Sequence, residues 1–220
     1  MFWKATPEFY IVSPDPDPDY ELKIVQAYLL VHYIDAAPEL TESVNDLLAS
    51  AGNAKYYLSF SRLKSQSLSK GDGSCTITNT FSSSSLPEEL LIVLIKSANL
   101  RGTYDTNPLI FEHTNISSIQ TLINEEPCPY ATPILCDFKK EIYSEIYSNL
   151  FTTSPYGLFG QYGKKNALTK KEFLKGMSIF RVVFSHVDKN ILQPTSRIGK
   201  LSIEINFHEG LEVAHTLVLY

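Results

Sequence analysis

The residues with the most chemical potential crowd into positions 99–129, "NLRGTYDTNPLIFEHTNISSIQTLINEEPCP". Arg101, Asp105, Glu112, His113 and Cys128 stand there between apolar runs, the mix of acid, base and nucleophile from which active sites are assembled. A metal site of the kind found in jelly-roll enzymes needs a clustered His-x-His with a downstream Glu. His32, His113, His186, His208 and His215 show no such spacing, although His208 and His215 could meet in space. They read as hydrogen-bonded or surface histidines. A cysteine nucleophile needs a neighbouring base that lowers its pKa. No base is marked for Cys128, set between Pro127 and Pro129, and Cys75 and Cys136 read as ordinary small residues. Glu88-Glu89, Glu125-Glu126 and Glu141/Glu145 could be carboxylate pairs, but strand starts, turns and exposed helix faces explain them more simply. Neither a G-x-S-x-G elbow nor a phosphate-binding glycine loop occurs. The alternating acids of "SPDPDPD" (13–19) lack the turn glycine and distal Glu of a calcium loop. No catalytic, cofactor-binding or metal-ligating residue is therefore assigned, and no enzymatic activity is expected.

The elements around these residues are mostly of period two. "LKIVQAYLLVHYI" (22–34) is apolar, β-branched and aromatic, as a buried strand requires. A helix follows over 38–51, with Leu40, Val44, Leu47 and Leu48 on one face and Pro38 in its first turn. Further strands are expected at "AKYYLSFSRL", "CTITNTF", "EELLIVLIKS", 116–124, "MSIFRVVFSH", "GKLSIEINF" and "AHTLVLY". The clearest is "GKLSIEINF", with Leu201, Ile203, Ile205 and Phe207 inward. A helix over 137–151 would align Phe138, Ile142, Ile146 and Leu150, with Tyr143 and Tyr147 beside them. A short one over 169–176 opens with Thr169 and Glu172 at capping-box spacing. Eight sequential strands without βαβ alternation predict an all-β, antiparallel jelly-roll sandwich with three helical insertions. An extended lead-in over 1–19 precedes a single domain over 20–220. Asn107-Pro108 is expected to fix a turn, Phe111 to plug the sandwich end and His113 to bond loop carbonyls.

Composition narrows the function. With 220 residues, 44% hydrophobic and 12% aromatic, the chain can build a core. A net charge of −5 argues against a nucleic-acid binder, which needs a basic face. "MFWKATPEFY" lacks the charged and apolar regions of a secretory signal, and runs such as "LLIVLI" are too short to span a bilayer. Three cysteines without a C-x-x-C pair suit reduced thiols in an intracellular setting. The sequon Asn115-Ile116-Ser117 is then unused. The tyrosines of 137–151 and of "YGLFGQYG" are dense enough to serve in an interface or to cap the core.

The order of these signatures resembles the C-terminal jelly roll of the double jelly-roll major capsid protein of Maverick/Polinton elements and adintoviruses. "LKIVQAYLLVHYIDAAPEL" is similar to the family's long strand and Pro-led helix, and "NAKYYLSFSRLK" to the strand after it. "FSSSSLPEELLIVLI" is similar to its Phe, polar loop, Pro and apolar strand; Gly102, Asn107, Pro108, Phe111 and His113 match its Gly-x-x-x-x-Asn-Pro segment with a following Phe and His. Asp137, Phe138, Tyr143 and Tyr147 match a Tyr-bearing helix, "LTKKEFLKGMSIF" a capped segment, and "GKLSIEINF" the penultimate strand. The resemblance covers about residues 20–220, and no single motif carries it. It implies a hexon-like capsid role: tandem jelly rolls, three chains per pseudo-hexagonal capsomer, and neither catalysis nor cofactor. The implied partners are further copies of the chain, neighbouring capsid proteins and a separate first jelly roll, with no membrane and no sequence-specific nucleic acid. The implied location is the virion capsid within a host cell. The sequence departs from the pattern at "FRVVFSHVD", where Arg181 stands without a matching acid. The family's first roll and acidic tail also lack counterparts, as expected of a partial, diverged or split gene. The other reading is a stand-alone jelly-roll domain for ligand binding or a co-opted interaction. Resemblance also favours a crossing connection over a hairpin at "NFHEGLEV", with no ladder between Ile205 and Val213.

Overall fold

The computed structural model describes residues 6–15, 19–21, 23–51, 61–81, 86–151, 168–184 and 199–220. The chain divides into two compact units, residues 1–19 with 61–220, and residues 20–60, where the sequence suggests a break at residue 19 alone.

The larger unit is a β-sandwich of two antiparallel sheets. Its strands are β1 (Lys64–Leu68), β2 (Ser74–Ile77), β3 (Glu89–Lys96), β4 (Ile116–Ile123), β5 (Glu126–Pro127), β6 (Ile134–Leu135), β7 (Phe180–Val183), β8 (Leu201–Phe207) and β9 (His215–Leu219). One sheet runs β1-β9-β3-β7 and the other β2-β8-β4-β5, with β6 also pairing β4. The first four strands pair with later ones in reverse order: β1 with β9, β2 with β8, β3 with β7, and β4 with β5 and β6. The ribbon closes on itself through β3·β9 and β4·β8. The core follows from alternation. Leu201, Ile203, Ile205 and Phe207 of β8 are buried, whereas Glu204 and Asn206 are exposed. They meet Leu90, Ile92 and Leu94 of β3, Leu217 and Leu219 of β9, and Phe180 of β7 in one apolar cluster. Because β8 and β9 lie in different sheets, residues 208–214 cross between them. Ile205 pairs with Cys75 and Ile119.

Four local expectations change. Residues 23–34 carry no strand, and most of their apolar side chains are exposed; a run of apolar residues specifies a need for burial but supplies no ladder partner. Among the described residues the first sandwich strand is β1; of the strand expected at "AKYYLSFSRL", residues 54–60 lie outside the described residues and 61–63 carry no strand. The helix expected over 137–151 is reduced to α3, Ser144–Asn149. Ahead of it, Asp137 and Ile142 exchange backbone bonds of 2.7 and 2.8 Å, and Glu141 takes φ 61°. The Asp137 carboxylate accepts the Lys140 amide at 3.1 Å, so this residue competes for the amides a helix would use. Ile142 is consequently exposed, while Phe138, Ile146 and Leu150 stay in the core. The lead-in also acquires structure: α1 (Pro7–Tyr10) forms, and the Ser13 amide donates to the Tyr104 carbonyl at 2.9 Å. A Cβ on Gly102, at φ 80°, would lie 2.3 Å from the Glu8 carbonyl oxygen, so only glycine admits this approach.

Two helices match expectation: α2 spans Pro38–Ala51, and α4 spans Lys170–Leu174 behind a complete capping box of Thr169 and Glu172. Gly176, at φ 119°, ends the turn after α4.

Candidate functional site

The stretch 99–129 connects β3 to β4, forms β4 and leads into β5. A 3-10 turn, Ser97–Asn99, closes β3. Asn107 then accepts the Leu109 amide on Oδ1 at 2.8 Å, the turn expected at Asn-Pro. The Phe111 amide donates to the Gly176 carbonyl at 2.8 Å, and its carbonyl accepts the Ser178 amide at 3.1 Å. These bonds tie the loop to the segment after α4. Arg101 and Asp105 are exposed.

Three polar side chains do converge. The Glu112 carboxylate lies 2.8 Å from Lys96 Nζ through Oε1 and 3.1 Å from His215 Nε2 through Oε2. Lys96 and His215 are ladder partners across β3 and β9, and the Glu112 amide is held by the Leu94 carbonyl at 2.9 Å. Burial alone would raise the Glu112 carboxyl, but hydrogen bonds from Lys96 and His215 hold it below its usual range. His215 is buried, and its Nδ1 faces the Val213 carbonyl at 2.8 Å. Both ring nitrogens thus face carbonyl or carboxylate oxygens. Sequence reasoning singled out His215 and missed this cluster. The available signal was a lysine closing an apolar strand, but pairing it with residue 215 required the register.

The other histidines find separate partners. His113 stacks on Phe138 with ring centroids 4.1 Å apart and planes 10° from parallel. Its Nδ1 accepts the Asn115 amide at 3.1 Å, so it serves as acceptor where it was expected to bond carbonyls. Burial lowers its pKa, and the nearby Glu112 charge opposes that only partly. Tyr143 stacks on Phe138 in turn, meets Phe173 at a tilt, and Phe173 meets Phe180 edge to face. His208 Nε2 lies 2.9 Å from the Cys136 carbonyl oxygen, and His186 falls outside the described residues.

The thiols are similarly committed. Cys136 is buried, donates to the Ile116 carbonyl at 3.1 Å, and is pushed up to about 12 by burial and by the Asp137 charge. Burial also raises Cys75, with Asp72 adding to the effect. A thiol held protonated is a poor nucleophile. Of the acid pairs, Glu89 meets Arg181, whose Nε and Nη2 lie 3.0 and 2.6 Å from Oε2, while Nη1 donates to the Leu150 carbonyl at 3.2 Å. The acid facing Arg181 therefore comes from β3, across the ladder from β7.

The chain matches no family model, no curated protein and no solved structure. Among the described residues, no three His, Cys, Asp or Glu side chains are grouped to hold a metal ion. No described helix is long and apolar enough to cross a membrane. A cavity of about 490 Å³ opens between Asn107–Ile110 and Thr169–Met177. Two of its polar groups, Thr169 and Glu172, bond each other in the cap of α4. Around these residues the geometry provides loop closure through Phe111, a partly exposed ion pair of Lys96 with Glu112, and ring contacts of His113 and Phe138.

Proposed function

We propose that this chain is a capsid-type structural protein: a jelly-roll domain of the double jelly-roll major capsid class that self-assembles into trimeric, pseudo-hexagonal capsomers. The observation that carries the reading is strand order. A ribbon in which β1, β2, β3 and β4 pair in turn with β9, β8, β7 and β5/β6, wrapped so that successive early strands alternate between sheets, is the pattern from which a jelly roll is built. The ordered motifs read in the sequence over about residues 20–220 support the same reading. A structural role rather than a catalytic one agrees with His113, His208, His215 and Cys136 each being spent on loop or core hydrogen bonds.

The test is assembly of the full chain, alone and co-expressed with a first jelly roll encoded beside it. Sedimentation and negative-stain imaging are expected to show three-fold particles of pseudo-hexagonal outline in one of the two preparations. A chain that remains monomeric in both would overturn the reading. Ligand-dependent thermal stabilisation of that monomer would favour a stand-alone binding domain instead.

A further inference from the structure

The loop that leads into β4 holds two consecutive residues that backbone sterics disfavour, Thr114 at φ 43° and Asn115 at φ 52°. The Ile116 amide donates to the His113 carbonyl at 3.0 Å, so residues 113–116 form a turn whose two central residues both have positive φ, as in type I′. Asparagine tolerates that region. A β-branched threonine does not, and its presence there marks stored strain. Thr114 Oγ1 and Asn115 Oδ1 are also buried without a hydrogen-bond partner, a cost that water would relieve if the turn opened.

The closed turn therefore depends on its clamps. The Asn115 carbonyl accepts the His208 amide at 3.1 Å, and the Asn115 amide donates to His113 Nδ1 at 3.1 Å. The second bond exists in one protonation state only. A neutral ring offers a bare Nδ1 to the amide, whereas a proton on Nδ1 sets one N–H against another. Charged groups stand on both sides of this ring. Glu112 precedes it and is itself engaged by Lys96 and His215. Beside Phe138, on which the ring stacks, Asp137 pairs with Lys140 at 3.1 Å and lies 3.9 Å from His208 Nε2. Glu112 favours the proton on His113, but burial outweighs it. Upstream the loop is anchored independently, by Phe111 to Gly176 and Ser178 and by the Glu112 amide to the Leu94 carbonyl. Opening is thus confined to residues 113–116 and to the pairing of Ile116 with Phe207.

We infer that the turn 113–116 is an acid-sensitive switch, closed on neutral His113 and opened when Nδ1 takes a proton, which releases the start of β4. It is independent of the assembly reading. The sign follows from linkage. In the open turn His113 has its ordinary pKa of 6.5, and in the closed turn a lower one. Between those two values, each pH unit of acidification favours opening by up to about tenfold.

The test is amide NMR of the full chain, titrated from about pH 7.5 to about 5, a span that brackets the ordinary histidine range. The Asn115 and Ile116 resonances are expected to move to unstructured positions, while those of Ile203 and Ile205 in β8 stay and report that each variant is folded. His113→Asn places a non-titrating acceptor for the amide two residues on, and should hold the turn closed throughout. His113→Phe can stack on Phe138 but cannot accept, and should leave the turn open throughout. His208→Gln removes the other imidazole at the turn and should keep the transition. The switch is overturned if the wild-type turn stays closed to the end of the titration, or if His113→Asn opens along with it. It is equally overturned if His113→Phe stays closed or if His208→Gln abolishes the transition.

Discussion

Arg181 and Glu89 are unequal partners. The Arg181 side chain is 0% exposed, whereas Glu89 keeps 15%. Removing one member of a buried pair strands the other, and the stranded charge sets the cost. Glu89→Ala is therefore expected to destabilise by about 3–5 kcal/mol. Arg181→Met should cost less, because the remaining carboxylate can reach water. Urea unfolding of both variants measures the difference, and equal losses would contradict the asymmetry. His113 makes a second claim at this scale. Its folded pKa lies below 6.5, because burial and the accepting role of Nδ1 favour the neutral ring. The unfolded chain thus binds the extra proton first. The contribution is full above pH 6.5 and is lost as pH falls through the folded pKa. Melting temperature should drop between pH 7 and 5, and His113→Gln should flatten that slope even where it lowers stability throughout. An unchanged slope would remove His113 as its source. Glu112 acts at lower pH. Its pKa is depressed below 4.5, so its contribution is present above 4.5 and disappears on further acidification.

Elements succeeded or failed according to how local their causes were. α4 is specified within four residues: the Thr169 hydroxyl accepts the Glu172 amide at 3.3 Å, and Glu172 Oε2 accepts the Thr169 amide at 2.8 Å. Thr169→Ala is expected to cost about 1 kcal/mol in thermal unfolding, within the usual range for losing an N-cap. Thr169→Ser should recover most of it; the same loss in both would show that the cap contributes little. The capping box, the Asn107 turn and the alternation of β8 were legible because each interaction spans only a few residues. The helix at 137–151 was misread for a related reason. Apolar spacing fits Phe138, Ile146 and Leu150, but the Asp137–Ile142 bridge uses the backbone that the first turns would need. Apolar period reports which side chains are buried, and two backbone paths can bury the same three.

At the scale of the whole molecule, the sandwich depends on contacts between distant parts of the chain. β9 pairs with β1 and β3, joining Leu219 to both Lys64 and Ile92. Nothing local to "AHTLVLY" requires those neighbours. The oligomeric state belongs to this scale as well, and sedimentation of the full chain reads it directly. The sequence by itself determined that the chain is mostly β, which residues of β8 face the core, where the capped helix begins and where Asn-Pro turns the chain. These follow from side-chain alternation, hydrogen bonds over a few residues and the fixed geometry of proline. Only the tertiary structure decided that β1 begins at Lys64, that Glu112 joins Lys96 to His215, that Arg181 meets Glu89, and that residues 23–34 carry no strand. The physical reason is shared: hydrophobicity is non-directional, so an apolar run fixes that it should be covered but not by what. Register and partner are set by pairing across more than a hundred residues of sequence, as for β1 and β9.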